Sequence, residues 1–165
     1  EMCIRDSYAN ILAFDGYYEK KWFPYTMPIS DIYGLRQAFD NIKNDPYMLE
    51  RHAKIGNAVR AAVKEAGLEL YQETGFSNTV TVFNVPEGTT DTAILTAMKE
   101  KCNIMLAGSF GAFSGKVIRI GHMGENAYPE KVGAVMAGLD LVFKDLGITL
   151  KCSLKEAYDR KMSEQ

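Results

Sequence analysis

The chain has 165 residues and a net charge of −2 at pH 7, with 47% hydrophobic and 24% charged residues. That size supports one well-buried core rather than two, and near-neutral mixed charge offers no field for nucleic acid or another polyanion. No apolar run approaches the ~20 residues of a membrane helix. The three cysteines, Cys3, Cys102 and Cys152, have neither disulfide-framework nor metal-ligand spacing. The expectation is a cytoplasmic α/β or α+β domain that engages neither nucleic acid nor membrane.

Residues 1–7 show no apolar periodicity and read as a non-native translated scar, outside the fold argument. Residues 8–28 are crowded with aromatics, and Pro24 and Pro28 make their second half extended or turning. From Ser30, a candidate N-cap, Ile32, Leu35, Phe39 and Ile42 recur at helical spacing. Asp45-Pro46 reads as the start of a longer helix. Met48, His52, Ile55, Val59, Ala62, Val63 and Ala66 form its inner face, and Gly67 closes it.

Beyond Gly67 the period shortens to two. Leu68 and Leu70 suggest a short strand, and Thr79 to Val85 alternate strongly before Pro86 and Gly88. Asp91 to Lys101 returns to helix with Ile94, Leu95 and Met98 inward. Two short apolar strands follow, Ile104 to Leu106 and Val117 to Ile120, joined by a glycine-rich stretch from Gly108 to Gly115. Pro129 opens a helix that Gly147 closes, and Ser153-Leu154-Lys155-Glu156 reads as a capping box for the last one. Strands joined pairwise, with helices between, predict an antiparallel or mixed sheet covered by helices on one face.

Arg119 is the most informative residue, because a full charge inside Val117-Ile118-Arg119-Ile120-Gly121 costs several kcal/mol unless it is solvated or paired. It either turns to the solvent face or a buried carboxylate, or forks around a ligand carboxylate or phosphate. Gly108 to Gly115 lacks the spacing of a phosphate-binding loop and reads as a strand connection or part of a site wall. His122 and His52 read as satisfied structural histidines. Cys102 lacks the electropositive setting of a nucleophile. No catalytic triad, carboxylate pair or metal cluster is visible.

Lys116-Val117-Ile118-Arg119-Ile120-Gly121-His122-Met123-Gly124 resembles the C-terminal hallmark of class V, fold type I aminotransferases. The nearest group is the alanine–glyoxylate, serine–pyruvate and pyridoxamine–pyruvate branch. Tyr25 to Ser30 with Tyr33-Gly34-Leu35-Arg36, and Thr79-Val80-Thr81 with Val85-Pro86-Glu87-Gly88, resemble further stretches of the family in matching order. The resemblance runs from Tyr8 to Leu150. It implies that residues 8–28 are a remnant of a large domain with its connecting segment, and that residues 29–165 are the family's small domain. The fold it implies is α+β, a short, mostly antiparallel sheet with helices packed on one face.

The resemblance also implies roles. Arg119 matches the arginine that holds the substrate α-carboxylate. Thr26 matches a threonine that reaches the phosphate of the partner subunit's pyridoxal 5′-phosphate, so a homodimer is implied. Phe23 stands where this branch often has a tyrosine, and Gly108-Ser109-Phe110-Gly111 keeps two of the family's loop glycines. The family's Schiff-base lysine lies far upstream of the threonine motif, whereas 25 residues precede Thr26 here and Lys20 and Lys21 stand too close to it. The resemblance thus implies a C-terminal fragment of a transaminase, inactive alone, with no catalytic residue of its own. The parent would move an amino group from an alanine- or serine-type donor to a glyoxylate- or pyruvate-type acceptor. A stand-alone carboxylate-binding or regulatory module and a structural dimerisation domain are the alternatives.

Overall fold

A computed structural model describes residues 10–164, so the expectation for residues 1–7 lies outside the described part. The chain forms two compact units, residues 1–46 and 47–165. In the first, a 3-10 turn (Ile11–Phe14), a short α1 (Tyr17–Lys20) and a long α2 (Ile29–Lys43) follow one another. Pro24 sits in the bend between α1 and α2, as its missing N–H and fixed φ require. Phe14 packs edge-on against Phe23 and Tyr25, with ring centroids 5.4 and 6.0 Å apart. Pro28, not Ser30, occupies the N-cap of α2. The helical spacing of Ile32, Leu35, Phe39 and Ile42 holds, yet all four side chains are exposed.

The second unit is built around α3 (Met48–Glu65), a two-stranded antiparallel sheet of β1 (Val80–Asn84) and β2 (Val117–Gly121), α4 (Asp91–Cys102), α5 (Pro129–Asp145) and α6 (Leu154–Ser163). Residues Asp45 and Pro46 precede α3 by a turn, and Tyr47 rather than Asp45 takes the cap. Gly67, at φ +84°, ends α3 as expected: its N–H reaches Lys64 O and that of Leu68 reaches Val63 O, satisfying two carbonyls of the last turn.

Two of the four expected strands shrink to single bridges. Leu70 pairs antiparallel with Phe83 on one side of the sheet, and Ala107 pairs antiparallel with Arg119 on the other. The second edge departs at Gly108, where the glycine-rich stretch turns away into a 3-10 turn at Gly111–Phe113. The resulting order, Leu70 segment, β1, β2, Ala107 segment, is antiparallel throughout.

Register puts Phe83 opposite Ile118 and Thr81 opposite Ile120, all on the buried face. Phe83 meets Phe143 of α5 edge-on at 6.4 Å, and Ile55, Val59, Met136 and Leu139 of the helices join the same fully buried cluster. At about 1.5–3 kcal/mol per buried large apolar side chain, this face supplies most of the driving force for closing the helices over the sheet. α3 packs on β1 and α6, and α5 packs on α4 and α6. An α+β unit with a short antiparallel sheet and helices over one face is therefore what the sequence folds into.

The start of α6 departs from a reciprocal capping box. Ser153 Oγ accepts from Glu156 N at 3.2 Å, but the other donors turn to Asp140 of α5. Its carboxylate accepts from Leu154 N at 2.7 Å, Lys155 N at 3.0 Å and Ser153 Oγ at 2.6 Å. Asp140, held in place by α5, thus satisfies the first two free N–H groups of α6, which a capping box does not reach.

Candidate functional site: the Arg119 cleft

Alternation along β2 sends Ile118 and Ile120 into the core and Arg119 to the opposite, half-buried face, across from Val82. Its backbone is clamped to Ala107: Arg119 N donates to Ala107 O at 2.7 Å, and Ala107 N to Arg119 O at 3.4 Å. Its side chain donates from Nε to Gly108 O at 2.7 Å. Among the described residues no carboxylate pairs with it, so burial against a structural partner does not explain the charge.

Beside Arg119 lies a cleft of about 690 Å³, with Val80, Val132 and Val135 among its apolar lining and Arg119, Asn126 and Lys131 among its polar groups. The Lys131 ammonium donates to Glu125 O and lies 5.4 Å from the Tyr128 ring centroid, which leaves Arg119 as the cation offering a free planar edge. An apolar cleft with one such guanidinium suits a small carboxylate, held by two parallel charge-assisted hydrogen bonds.

The two histidines behind this site are structural. His122 is fully buried, with Nδ1 3.1 Å from Asn78 O and Nε2 2.9 Å from Thr81 Oγ1. Asn78 O can only accept, so Nδ1 carries the proton and the Thr81 hydroxyl donates to Nε2. His52 is also buried; its Nδ1 lies 2.7 Å from Met48 O, and Gly124 N donates to Nε2 at 3.1 Å. That bond ties α3 to the turn just past the Arg119 strand.

Sequence reasoning missed Arg60. It is buried, donating from Nη1 to Ser77 O at 2.8 Å and from Nη2 to Asn57 Oδ1 at 2.6 Å, with its guanidinium 5.0 Å from the Phe76 ring centroid. The signal was available: His52, Gly56 and Arg60 recur every four residues along the inner face of α3.

Thr26 lies in the first unit, exposed on the coil before α2, and its hydroxyl makes no hydrogen bond among the described residues. The Phe23 ring, three residues earlier, sits edge-on to Phe14 and Tyr17, at 5.4 and 6.4 Å. Lys20 Nζ donates to Asp15 O at 3.3 Å. Thr26 and Arg119 thus belong to different units, each presenting side-chain donors that have no partner among the described residues. No helix among the described residues is long and apolar enough to cross a membrane.

No family model matches the chain. Individual proteins do. An uncharacterized aminotransferase of Methanocaldococcus jannaschii is 36% identical over 148 residues, which is 87% of this chain and 38% of that protein. The serine–glyoxylate aminotransferase of Arabidopsis thaliana is 35% identical over 130 residues, 76% of this chain and 32% of its own length. Among solved structures, the ureidoglycine–glyoxylate aminotransferase of Bacillus subtilis superposes with a TM-score of 0.88 at 25% identity, covering 98% of this chain and 43% of that one. The chain is an aminotransferase homologue. The pyridoxamine–pyruvate aminotransferase of Mesorhizobium loti gives a TM-score of 0.85 at 28% identity, over 97% of this chain and 42% of its own. The fold matches the C-terminal domain of these aminotransferases, and the chain spans 32% to 43% of the length of these four relatives.

Proposed function

We propose that the chain is the C-terminal part of a class V, fold type I, pyridoxal-phosphate-dependent transaminase, cytoplasmic and homodimeric. It would move the amino group of a small alanine- or serine-type amino acid to a 2-oxo acid of the glyoxylate or pyruvate type. The observation that carries this reading is Arg119: a guanidinium with no carboxylate partner among the described residues, beside an apolar cleft, on a fold matching aminotransferase C-terminal domains.

In this reading Arg119 binds the substrate carboxylate and so sets the angle at which the substrate's Cα presents its amino group. The apolar walls of the cleft exclude water from that ion pair, which strengthens it. A phosphate dianion needs hydroxyl and N–H donors, and the exposed, unpaired Thr26 hydroxyl fits as one of them. Thr26 would hold the cofactor phosphate of the partner subunit, and the cofactor, when bound, supplies the electron sink for the chemistry. The lysine that carries the cofactor is assigned to a part of the complete protein outside this chain.

Two preparations test the reading: this chain alone, and its reading frame extended upstream. Each is supplied with pyridoxal phosphate, L-alanine and glyoxylate, and pyruvate is measured. Pyruvate from the extended protein and none from this chain is the expected result. Turnover by this chain alone would place a competent lysine within it, and an extended protein without turnover would remove the transaminase reading.

A further inference from the structure

Three glycines punctuate the stretch before β2, and they serve different ends. Gly111 and Gly115 stand at φ +61° and +76°, backbone that only glycine adopts without strain. Gly108 does not occupy that left-handed region, so its backbone alone would accept any residue. What crowds a side chain there is the start of α4, where the Asp91 carboxylate would have to give by a few tenths of an ångström. A Cβ on Gly108 would lie 3.2 Å from Asp91 Oδ2 and 3.4 Å from Leu95 Cδ1. Asp91 cannot easily retreat, since its Oδ1 accepts from Thr92 N at 2.7 Å and from Thr92 Oγ1 at 3.2 Å in the first turn of that helix.

The consequence reaches Arg119. Ala107 and Gly108 are one two-residue segment along β2, with Gly108 set against the start of α4, Ala107 gripping the Arg119 backbone and Gly108 O gripping its Nε. We propose that Gly108 is a positioning residue for the Arg119 guanidinium, seated at the right depth by the first turn of α4. The carbonyl fixes the rotation of the guanidinium plane and commits Nε to the protein. The edge left for a ligand is the pair of terminal nitrogens, so a carboxylate is met end-on by Nη1 and Nη2 rather than side-on through Nε. A side chain at position 108 pushes the segment off α4, the carbonyl off Nε, and the plane out of register with the ligand.

This proposal rests on the carboxylate-clamp reading of Arg119, and its test separates the two. The Nε–H proton of Arg119 is followed by nitrogen–proton NMR of the full chain, assigned by its disappearance in Arg119→Lys, and its exchange with water is timed. Exposed Arg36 serves as the unprotected reference. A hydrogen-bonded Arg119 Nε–H exchanges about tenfold more slowly than that of Arg36. In Gly108→Ala the protection is lost while the amide fingerprint of the core is retained. In Gly108→Ala/Asp91→Ala, where space for the Cβ is restored, the protection returns. The double variant also keeps the test decisive if the single one fails to fold. Unchanged protection in Gly108→Ala, or no recovery in the double variant, overturns the proposal. Titration with pyruvate then addresses the clamp itself. A shift at the Arg119 terminal nitrogens that is weakened in Gly108→Ala supports both readings. A protected Nε–H whose guanidinium ignores pyruvate overturns the clamp reading.

Discussion

Thr81 Oγ1 lies 2.9 Å from His122 Nε2, joining β1 to the residue that follows β2 inside the protein interior. Thr81 is itself almost fully buried, so the pair leaves neither polar group unsatisfied. Burial pushes the His122 pKa down to about 4, with the charge of Arg60 on α3 acting in the same direction against two opposing backbone hydrogen bonds. The unfolded histidine titrates near 6.5. Between these values the unfolded chain takes up a proton that the folded chain refuses, so stability falls as pH drops from about 6.5 to about 4. The loss attributable to this group is about 2–3 kcal/mol. Urea unfolding at pH 7.5 and pH 4.5, for the wild chain and for His122→Gln, isolates it. The glutamine variant is expected to lose about 2–3 kcal/mol less on acidification. Parallel pH dependence in the two proteins would contradict the assignment.

Gly56 lets α3 approach this pair. A Cβ there would lie 3.3 Å from His122 Cε1, 3.3 Å from Asn78 Cα and 3.1 Å from Arg60 Nη1. Alanine is the better helix former by about 1 kcal/mol, yet overcrowding a packed contact costs about 1–3 kcal/mol. One of the three neighbours is backbone and another is a ring held at both nitrogens, so the crowding wins. Gly56→Ala is expected to destabilise the chain by about 1–2 kcal/mol, read as a lower thermal midpoint. An unchanged or raised midpoint would show that the helix can slide outward freely.

Asp140 carries the start of α6. Replacing it with alanine strands the N–H groups of Leu154 and Lys155 and the Ser153 hydroxyl, which all donate to it. The expected cost of Asp140→Ala is about 2 kcal/mol, and Asp140→Asn, which keeps one acceptor, costs less. Glu156→Ala is expected to change stability little, because the structure routes the capping through Asp140. Urea unfolding of the three variants ranks them, and a larger effect at Glu156 than at Asp140 would reverse that conclusion.

The elements of the second unit were legible because their signals are local. Gly67 and Gly147 stop helices through left-handed backbone, and the alternation of Thr79 to Val85 fixes which face of β1 is buried. The outer strands were overread. Ile104 to Leu106 has the composition of a strand, but pairing there depends on where Gly108 meets α4, a contact thirteen or more residues distant in sequence. Asp140 was invisible for the same reason: its partners stand thirteen to fifteen residues further on. At the site, the sequence singled out Arg119 from its charge in an apolar strand. The carbonyl that holds its Nε has no side-chain signature at all.

Removing the guanidinium is the sharpest chemical test of the cleft. If Arg119 clamps the substrate carboxylate as proposed, Arg119→Ala in the extended protein is expected to lose two charge-assisted hydrogen bonds, worth about 3 kcal/mol together, or roughly 100-fold in kcat/KM for L-alanine. Arg119→Lys restores the charge but not the fork. It is expected to recover only about a tenth of that loss, because a point charge leaves the carboxylate free to rotate. If the arginine also sets the approach of Cα, kcat falls along with the rise in KM. Equal kcat/KM for the lysine variant and the wild protein would mean that charge alone suffices and that the planar edge beside the cleft is not what recognises the substrate.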